Sequence, residues 1–192
     1  MRLLHIDSSI TGAASASRAI SADLVEGLRA ATPSLDLVYR DLVAEPLPHL
    51  TLDALADPAS NRDLQEFLTA DVVVIGTGMY NFSVPSQLKA WLDRVLIAGH
   101  TFRYGPEGPV GLAGGKRVIV ALARGGFYGA DSPAAHVEHA ERYLRAVLGF
   151  IGVTDLAFVI AEGVALGVEQ RAAAMETALA KARDIGAQAL AA

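Results

Sequence analysis

Three short stretches hold the residues whose types and spacing can do chemistry. The first is "SSITGAASAS" at 8–17, with the hydroxyls of Ser9, Ser15 and Ser17 set among small Ala14 and Ala16. Small residues let backbone N–H groups approach an anion, and the helix that follows adds its dipole, so the stretch suits a phosphate without a lysine. The plainer alternative is that Ser15 and Ser17 only cap that helix. The second is "GMYNFSVPS" at 78–86, where Met79, Tyr80 and Phe82 make an apolar wall. Asn81 and the local backbone can bond the rim of a heteroaromatic ring; the alternative is a core-filling loop with Pro85 opening the next helix. The third is "RGGFYG" at 124–129. Gly125 and Gly126 permit positive φ and a close approach of backbone to ligand, with Phe127 and Tyr128 placed to stack; the alternative is a simple turn. No nucleophile with an adjacent base stands among them.

Those stretches matter only if the chain brings them together. Apolar, β-branched runs at 3–7, 35–42, 71–78, 116–123 and 154–161 predict five strands. Helical spacing predicts helices over 17–30, 61–69, 86–98, 133–148 and 168–191, the first with Ser17 as its N-cap. Residues 43–60, with Pro46, Pro48 and Pro58, read as a long surface loop. Alternating strands and helices give a parallel sheet covered on both faces. The expected fold is α/β and flavodoxin-like, a three-layer sandwich with strand order 2-1-3-4-5, in one domain over 1–192. In such a sheet ligands sit beyond the carboxyl ends of the strands, where the first, third and fourth strands deliver the three stretches. A phosphate nest, a ring wall and a glycine clamp on one edge describe a mononucleotide with a flat ring, and flavin mononucleotide (FMN) before a triphosphate. The lysine loop of triphosphate sites is absent: "GLAGGKR" at 111–117 has Arg117 where Ser or Thr belongs.

The totals narrow the class. The 192 residues suffice for one well-filled core, 52% are hydrophobic and 19% charged, so disorder is excluded. A net charge of −5 with no basic block argues against nucleic acid or an anionic membrane as partner. The absence of cysteine removes disulfides, thiolate nucleophiles and iron–sulfur ligation and fits a cytoplasmic protein. "MRLLHID" turns polar too soon for a signal peptide, and no apolar run reaches the roughly 18 residues of a membrane span. His136 and His139 with Glu138 and Glu141 lack an evident third ligand, so a solvated helix face is expected and no metal. His5 is expected as a satisfied core residue.

The chain resembles the bacterial FMN-dependent NADH:quinone oxidoreductases, or azoreductases, over almost its whole length. The resemblance rests on the hydroxyl stretch, "MYNFSVPSQLKAWLD", "AGHTFRYGPEGPVGL", "GGKRVIVALARGG" and "YLRAVLGFIGVTDLAFVIAEG". It implies one FMN per subunit of a homodimer with sites at the subunit interface, and NADH or NADPH as co-substrate. By the resemblance, Ser9, Ser15, Ala16 and Ser17 would hold the phosphate. Met79, Tyr80, Asn81 and Phe82, with Ala123, Arg124, Gly125 and Gly126, would hold the ring. Ala16 stands where relatives often carry a glutamine, Ala123 where serine is common, and the 43–60 loop is short for the family.

The chemistry so implied needs no catalytic side chain. The cofactor carries hydride from the nicotinamide to a quinone or azo compound, one stacking site serving both substrates in turn. Phe102, Tyr104, Phe127 and Tyr128 are the expected walls of that substrate pocket, some reaching across a dimer, unless they only pack it. An esterase reading of "IDSSI" fails because no G-x-S-x-G occurs and the last histidine is His139. A one-electron flavodoxin carrier is the remaining alternative; such carriers are usually far more acidic.

Overall fold

The computed structural model describes residues 1–188. Five parallel strands form one sheet: β1 (Arg2–Asp7), β2 (Asp36–Asp41), β3 (Val72–Gly78), β6 (Arg117–Arg124) and β7 (Asp155–Glu162). Their order is β2-β1-β3-β6-β7, the expected 2-1-3-4-5 once a separate hairpin is counted. That hairpin pairs β4 (Phe102–Gly105) with β5 (Gly108–Gly111). Side-chain alternation along the strands builds two cores. Leu4, Ile6, Val73, Ile75, Val118 and Val120 face one side, where α3 (Arg62–Thr69), α4 (Ser86–Val95) and α5 (Ala140–Phe150) contribute Phe67, Trp91 and Leu144. Leu3, Val72, Val74, Ile119 and Ala121 face the other, under α1 (Ala16–Ala31) and α6 (Val168–Gln188), which contribute Ile20, Leu24, Ala178 and Ala182. No helix among the described residues is long and apolar enough to cross a membrane.

Several boundaries differ from the sequence reading, each for a local reason. The cap of α1 is Ser15, not Ser17: the Ser15 hydroxyl accepts from the Arg18 N–H at 3.2 Å. The 43–60 loop contains a short helix, α2 (Leu52–Ala56), capped by Thr51, and a 3-10 turn at Pro58–Ser60. Helix α4 stops at Val95 because the Thr101 hydroxyl donates to the Val95 carbonyl at 2.7 Å. The helix expected from 133 begins only at Ala140, after a 3-10 turn at Ala135–Val137. There the Glu138 carboxylate accepts from the Glu141 N–H at 2.8 Å and supplies the missing cap. The last residues of the helix expected over 168–191 lie outside the described residues.

Close approach is demanded at Gly76, where a Cβ would stand 2.1 Å from the Asp7 carboxylate of the neighbouring strand. Asp7 is buried and receives the Ser21 hydroxyl at 2.9 Å and the Tyr39 hydroxyl at 3.1 Å. His5 is buried as expected but is not satisfied. Its Nε2 faces Asp7 at 3.4 Å without a hydrogen bond, and its ring lies 4.9 Å from that of Tyr39.

Candidate functional site

Strand β1 delivers Ser8 and Ser9 to the carboxyl edge of the sheet. Ser8 is consumed there, its hydroxyl bonded to the Gly76 carbonyl at 3.2 Å and to Thr77 at 3.0 Å. After the 3-10 turn Gly12–Ala14, Ser15 sits extended at the head of α1, with its hydroxyl 3.1 Å from that of Ser17. The first four N–H groups of a helix have no partner within it. Here Arg18 N bonds the Ser15 hydroxyl and Ala19 N the Ser15 carbonyl at 3.2 Å, which leaves the N–H groups of Ala16 and Ser17 for a ligand. Ser9, Ser15, Ala16 and Ser17 are all buried at this helix end. Ser15 therefore caps the helix while its hydroxyl stands beside that of Ser17.

The second stretch is a tight turn. Tyr80 N bonds the Ser83 carbonyl at 2.9 Å and Ser83 N the Tyr80 carbonyl at 3.0 Å. The two residues between, Asn81 and Phe82, are both left-handed, with φ of 47° and 69°. Asn tolerates that conformation; Phe pays about 1–2 kcal/mol for it. Such strain persists only where the surroundings impose it. Here the Phe82 carbonyl accepts from His139 N at 2.9 Å, and its ring meets Tyr128 edge-on at 6.2 Å while staying half exposed. Met79 turns inward onto the core, so the apolar wall falls to Tyr80 and Phe82. The Tyr80 ring lies over Gly78, and the Tyr128 ring over Gly126, each 3.3 Å from where a Cβ would be.

In the third stretch Gly125 and Gly126 do not use the positive φ that glycine permits; Gly163 does, at 73°. The carbonyls of Arg124, Gly125 and Gly126 are taken by the N–H groups of Val164, Ala165 and Gly163 at 3.0–3.1 Å. A fourth loop, after β7, thus clamps the third from below. Ala123, next to last in β6, is half-buried, its carbonyl accepting from Met79 N at 2.8 Å. The Arg124 side chain does not reach the loop surface. It is buried against Glu162 at 2.9 Å, Glu141 at 2.6 Å and Glu138 at 3.2 Å, so only its backbone can meet a ligand. Burial alone would lower the guanidinium pKa, but the carboxylates outweigh it and raise it. Burial would raise Glu141, but Arg145 and Arg124 outweigh it and hold the carboxyl below its ordinary range. Glu162 also accepts from Tyr128 N at 2.9 Å.

The structure brings the three stretches together. Ser9 Oγ and the Tyr80 hydroxyl are 3.0 Å apart, and the Phe82–Tyr128 contact joins the other two. Phe102 and Tyr104 are not brought there. Helix α4 runs back from this edge, and the hairpin after it is tied at the far edge, with Ala113 N on the Ile151 carbonyl at 2.8 Å. Phe102 packs on Phe150 at 4.7 Å, and Tyr104 stands 74% exposed. Within one chain these two cannot line the same pocket as Phe127 and Tyr128.

Sequence reasoning missed the residues behind the site. Arg18 and Asp41 form a bidentate pair at 2.7 and 2.8 Å beneath the hydroxyl stretch. The Arg18 hydrogen bond holds the Asp41 carboxyl down to about 2. Burial first, then Asp7 and Asp41, push the neighbouring Tyr39 phenol up to about 12. The only signal for this pair was the charge at the end of a strand opposite the charge in the first turn of a helix.

A family described as a flavodoxin-like fold matches residues 1–185. An FMN-dependent NADH:quinone oxidoreductase of Bradyrhizobium diazoefficiens is 55% identical, covering 97% of this chain and 100% of its own. A protein of the same name from Methylorubrum extorquens is 53% identical over 97% of this chain and 98% of its own. Among solved structures, an azoreductase from Bacillus anthracis superposes with a TM-score of 0.89 at 29% identity, covering 97% of this chain and 98% of that one. With its sheet order and nearly its full length in agreement, the chain belongs to the flavodoxin-like family that includes the FMN-dependent NADH:quinone oxidoreductases.

Proposed function

We propose that the chain holds FMN across the carboxyl edge of its sheet. With it the chain carries two electrons from NADH or NADPH to quinones and azo compounds by a ping-pong route. The observation that carries this reading is the 3.0 Å contact between Ser9 and Tyr80, which closes an anion-binding helix end onto an aromatic turn. A ligand that spans that junction needs a phosphate at one end and a flat ring at the other.

The residues fit the group. Two unspent N–H groups, of Ala16 and Ser17, stand beside the Ser15 and Ser17 hydroxyls, a donor set for a phosphate at a helix N-terminus. Ala16 offers no side-chain amide, so its contact is its backbone. At the ring end, with the carbonyls of 124–126 tied down, the N–H groups of Gly125 and Gly126 are the polar contacts on offer. They favour negative charge on the ring's rim. Bound FMN supplies the hydride and electron transfer, which no side chain here can do. Tyr80 and Phe82 present the faces that orient the ring and exclude water, and Phe127 and Tyr128 wall the stacking space beside it.

On this reading the chain is one domain, 1–192, and works as a cytoplasmic homodimer without nucleic acid or membrane partners. Exposed Tyr104, Val110 and Leu112 on and beside the hairpin suit contact with a second copy, and Tyr104 would then reach the partner's site.

The purified protein should show a flavin spectrum, or gain one on adding FMN, and should reduce a simple quinone with NADH, giving parallel double-reciprocal lines. A protein that stays colourless when offered FMN ends the proposal. One that binds FMN but turns over only with an added reductase is a one-electron carrier instead.

A further inference from the structure

Arg18 occupies the first turn of α1, one residue past the proposed anion contacts, yet it does not offer itself to a ligand. A guanidinium has five N–H donors. Nε and Nη2 both donate to the Ser9 carbonyl, at 3.2 and 3.0 Å. Nη1 and Nη2 donate to the two Asp41 oxygens at 2.8 and 2.7 Å, and Nη1 also to the Tyr39 hydroxyl at 3.2 Å. Every donor has an acceptor inside the protein, and the charge is matched by Asp41, with the buried Asp7 carboxylate 3.8 Å away. Asp41 is itself fixed, its Oδ1 accepting from Val43 N at 3.0 Å and Ala44 N at 3.3 Å. The result is a rigid plate between the end of β2 and the loop that leaves β1.

The plate grips one atom of the hydroxyl stretch, the Ser9 carbonyl. A carbonyl held by two donors fixes its peptide plane, and with it the direction of the Ser9 side chain. That side chain is the junction between the anion position and the ring wall, through Tyr80 at 3.0 Å. The far end of the stretch is tied separately, by Arg171 Nη2 on the Ala14 carbonyl at 2.6 Å.

We propose that Arg18 is a positioning residue that makes the site select a phosphorylated flavin over an unphosphorylated one. With Asp41 and Tyr39 it pins Ser9 so that the serine hydroxyls and the N–H groups of Ala16 and Ser17 converge on one phosphate. This rests on the reading of the edge as an FMN site. Arg18 touches neither the phosphate nor the ring; it acts through the Ser9 peptide. Lysine cannot replace it, because a point charge cannot hold a carbonyl and both oxygens of a carboxylate in one plane.

The test compares FMN with riboflavin, which keeps the ring and lacks the phosphate. Each is titrated by fluorescence quenching into the full-length apoprotein. Wild type should bind FMN far more tightly than riboflavin. In Arg18→Met the FMN Kd should rise on the order of tenfold or more while the riboflavin Kd moves less than about twofold. Arg18→Lys should recover only a minor part of the loss, and Asp41→Asn should repeat it in weaker form. FMN and riboflavin affinities falling together, or FMN affinity unchanged in Arg18→Met, overturns the proposal. Full rescue by Arg18→Lys overturns it too. Wild type that binds neither flavin overturns instead the reading of the edge on which it rests.

Discussion

The two ends of the proposed FMN site are each organised by one arginine, and the two arginines work differently. Arg18, at the anion end, has every donor satisfied by one carboxylate, one phenol and one carbonyl, and its side chain remains 16% exposed. Arg124, at the ring end, is 3% exposed, faces three carboxylates, and its Nε has no hydrogen-bond partner among the described residues. The anion end is mostly local in sequence: residues 8–18, with Asp41 as support. The ring end is assembled from residues 124, 138, 141 and 162, on β6, before and within α5, and on β7. A local construction can lose one member and keep its shape. A distant one cannot, because the arginine is what brings its parts together. Removing Arg18 should therefore degrade affinity, and removing Arg124 should degrade the fold.

The strongest test of that contrast is Arg124→Met. Breaking a buried ion pair by deleting one partner costs about 3–5 kcal/mol. The lower figure is expected here because Glu141 and Glu162 keep some contact with water. Urea unfolding at neutral pH should show the loss, and Arg18→Met should show much less. The pH dependence has a definite sign. Glu141 is held below its ordinary 4.5 in the folded chain, so its stabilisation is present above that value and fades as pH falls through the lower folded one. The gap between wild type and Arg124→Met should narrow on acidification. A gap that is absent at neutral pH, or that widens in acid, breaks the comparison.

A smaller effect separates strain from packing at the aromatic turn. Replacing Phe82 by Ala removes the ring but keeps a Cβ at φ 69°; replacing it by Gly removes both. Gly is normally the less stable of the two, but in the left-handed region the order reverses, by about 1 kcal/mol. Phe82→Gly should thus unfold later in urea than Phe82→Ala, while both lose ring affinity for FMN and riboflavin alike. The usual order would mean that the turn is not held as described.

How much of this was legible follows the same division. The five strands and their order could be read from unbroken apolar, β-branched runs and their alternation with helices, since a sheet buried on both faces leaves a continuous signal. The three edge stretches could be picked out because parallel topology fixes where strands end. What could not be read depended on side chains meeting across the fold. Thr101 ends α4 by reaching back to Val95, and Glu138 starts α5 late by capping it from outside. Gly125 and Gly126 looked like the flexible pair, yet the positive φ belongs to Gly163, because the supporting loop makes the sharper bend. Aromatics such as Phe102 and Tyr104 beside a glycine-rich hairpin carry no sign of which sheet edge they occupy, so the sequence did not separate a wall within one chain from one across a dimer.

The smallest effect lies within the hydroxyl stretch and separates capping from anion binding, the two readings that the sequence left open for its serines. Ser15 caps, its hydroxyl accepting from Arg18 N, and on the proposed reading it also meets the phosphate, beside Ser17. Among the described residues the Ser17 hydroxyl bonds that of Ser15, and it makes no cap. Loss of an N-cap costs about 1 kcal/mol, so Ser15→Ala should lower both stability and FMN affinity. Ser17→Ala gives up one neutral hydrogen bond, about 0.5 kcal/mol at this position, and should leave unfolding almost unmoved. Its FMN affinity should nonetheless fall several-fold, about as far as one donor to a charged phosphate is worth, with riboflavin affinity unchanged. Calorimetry and flavin titration on the same pair of variants decide it. Equal stability losses would make both serines structural. A Ser17→Ala protein that binds FMN as wild type does would leave the anion to the backbone alone, and the helix end, not its hydroxyls, would be the phosphate site.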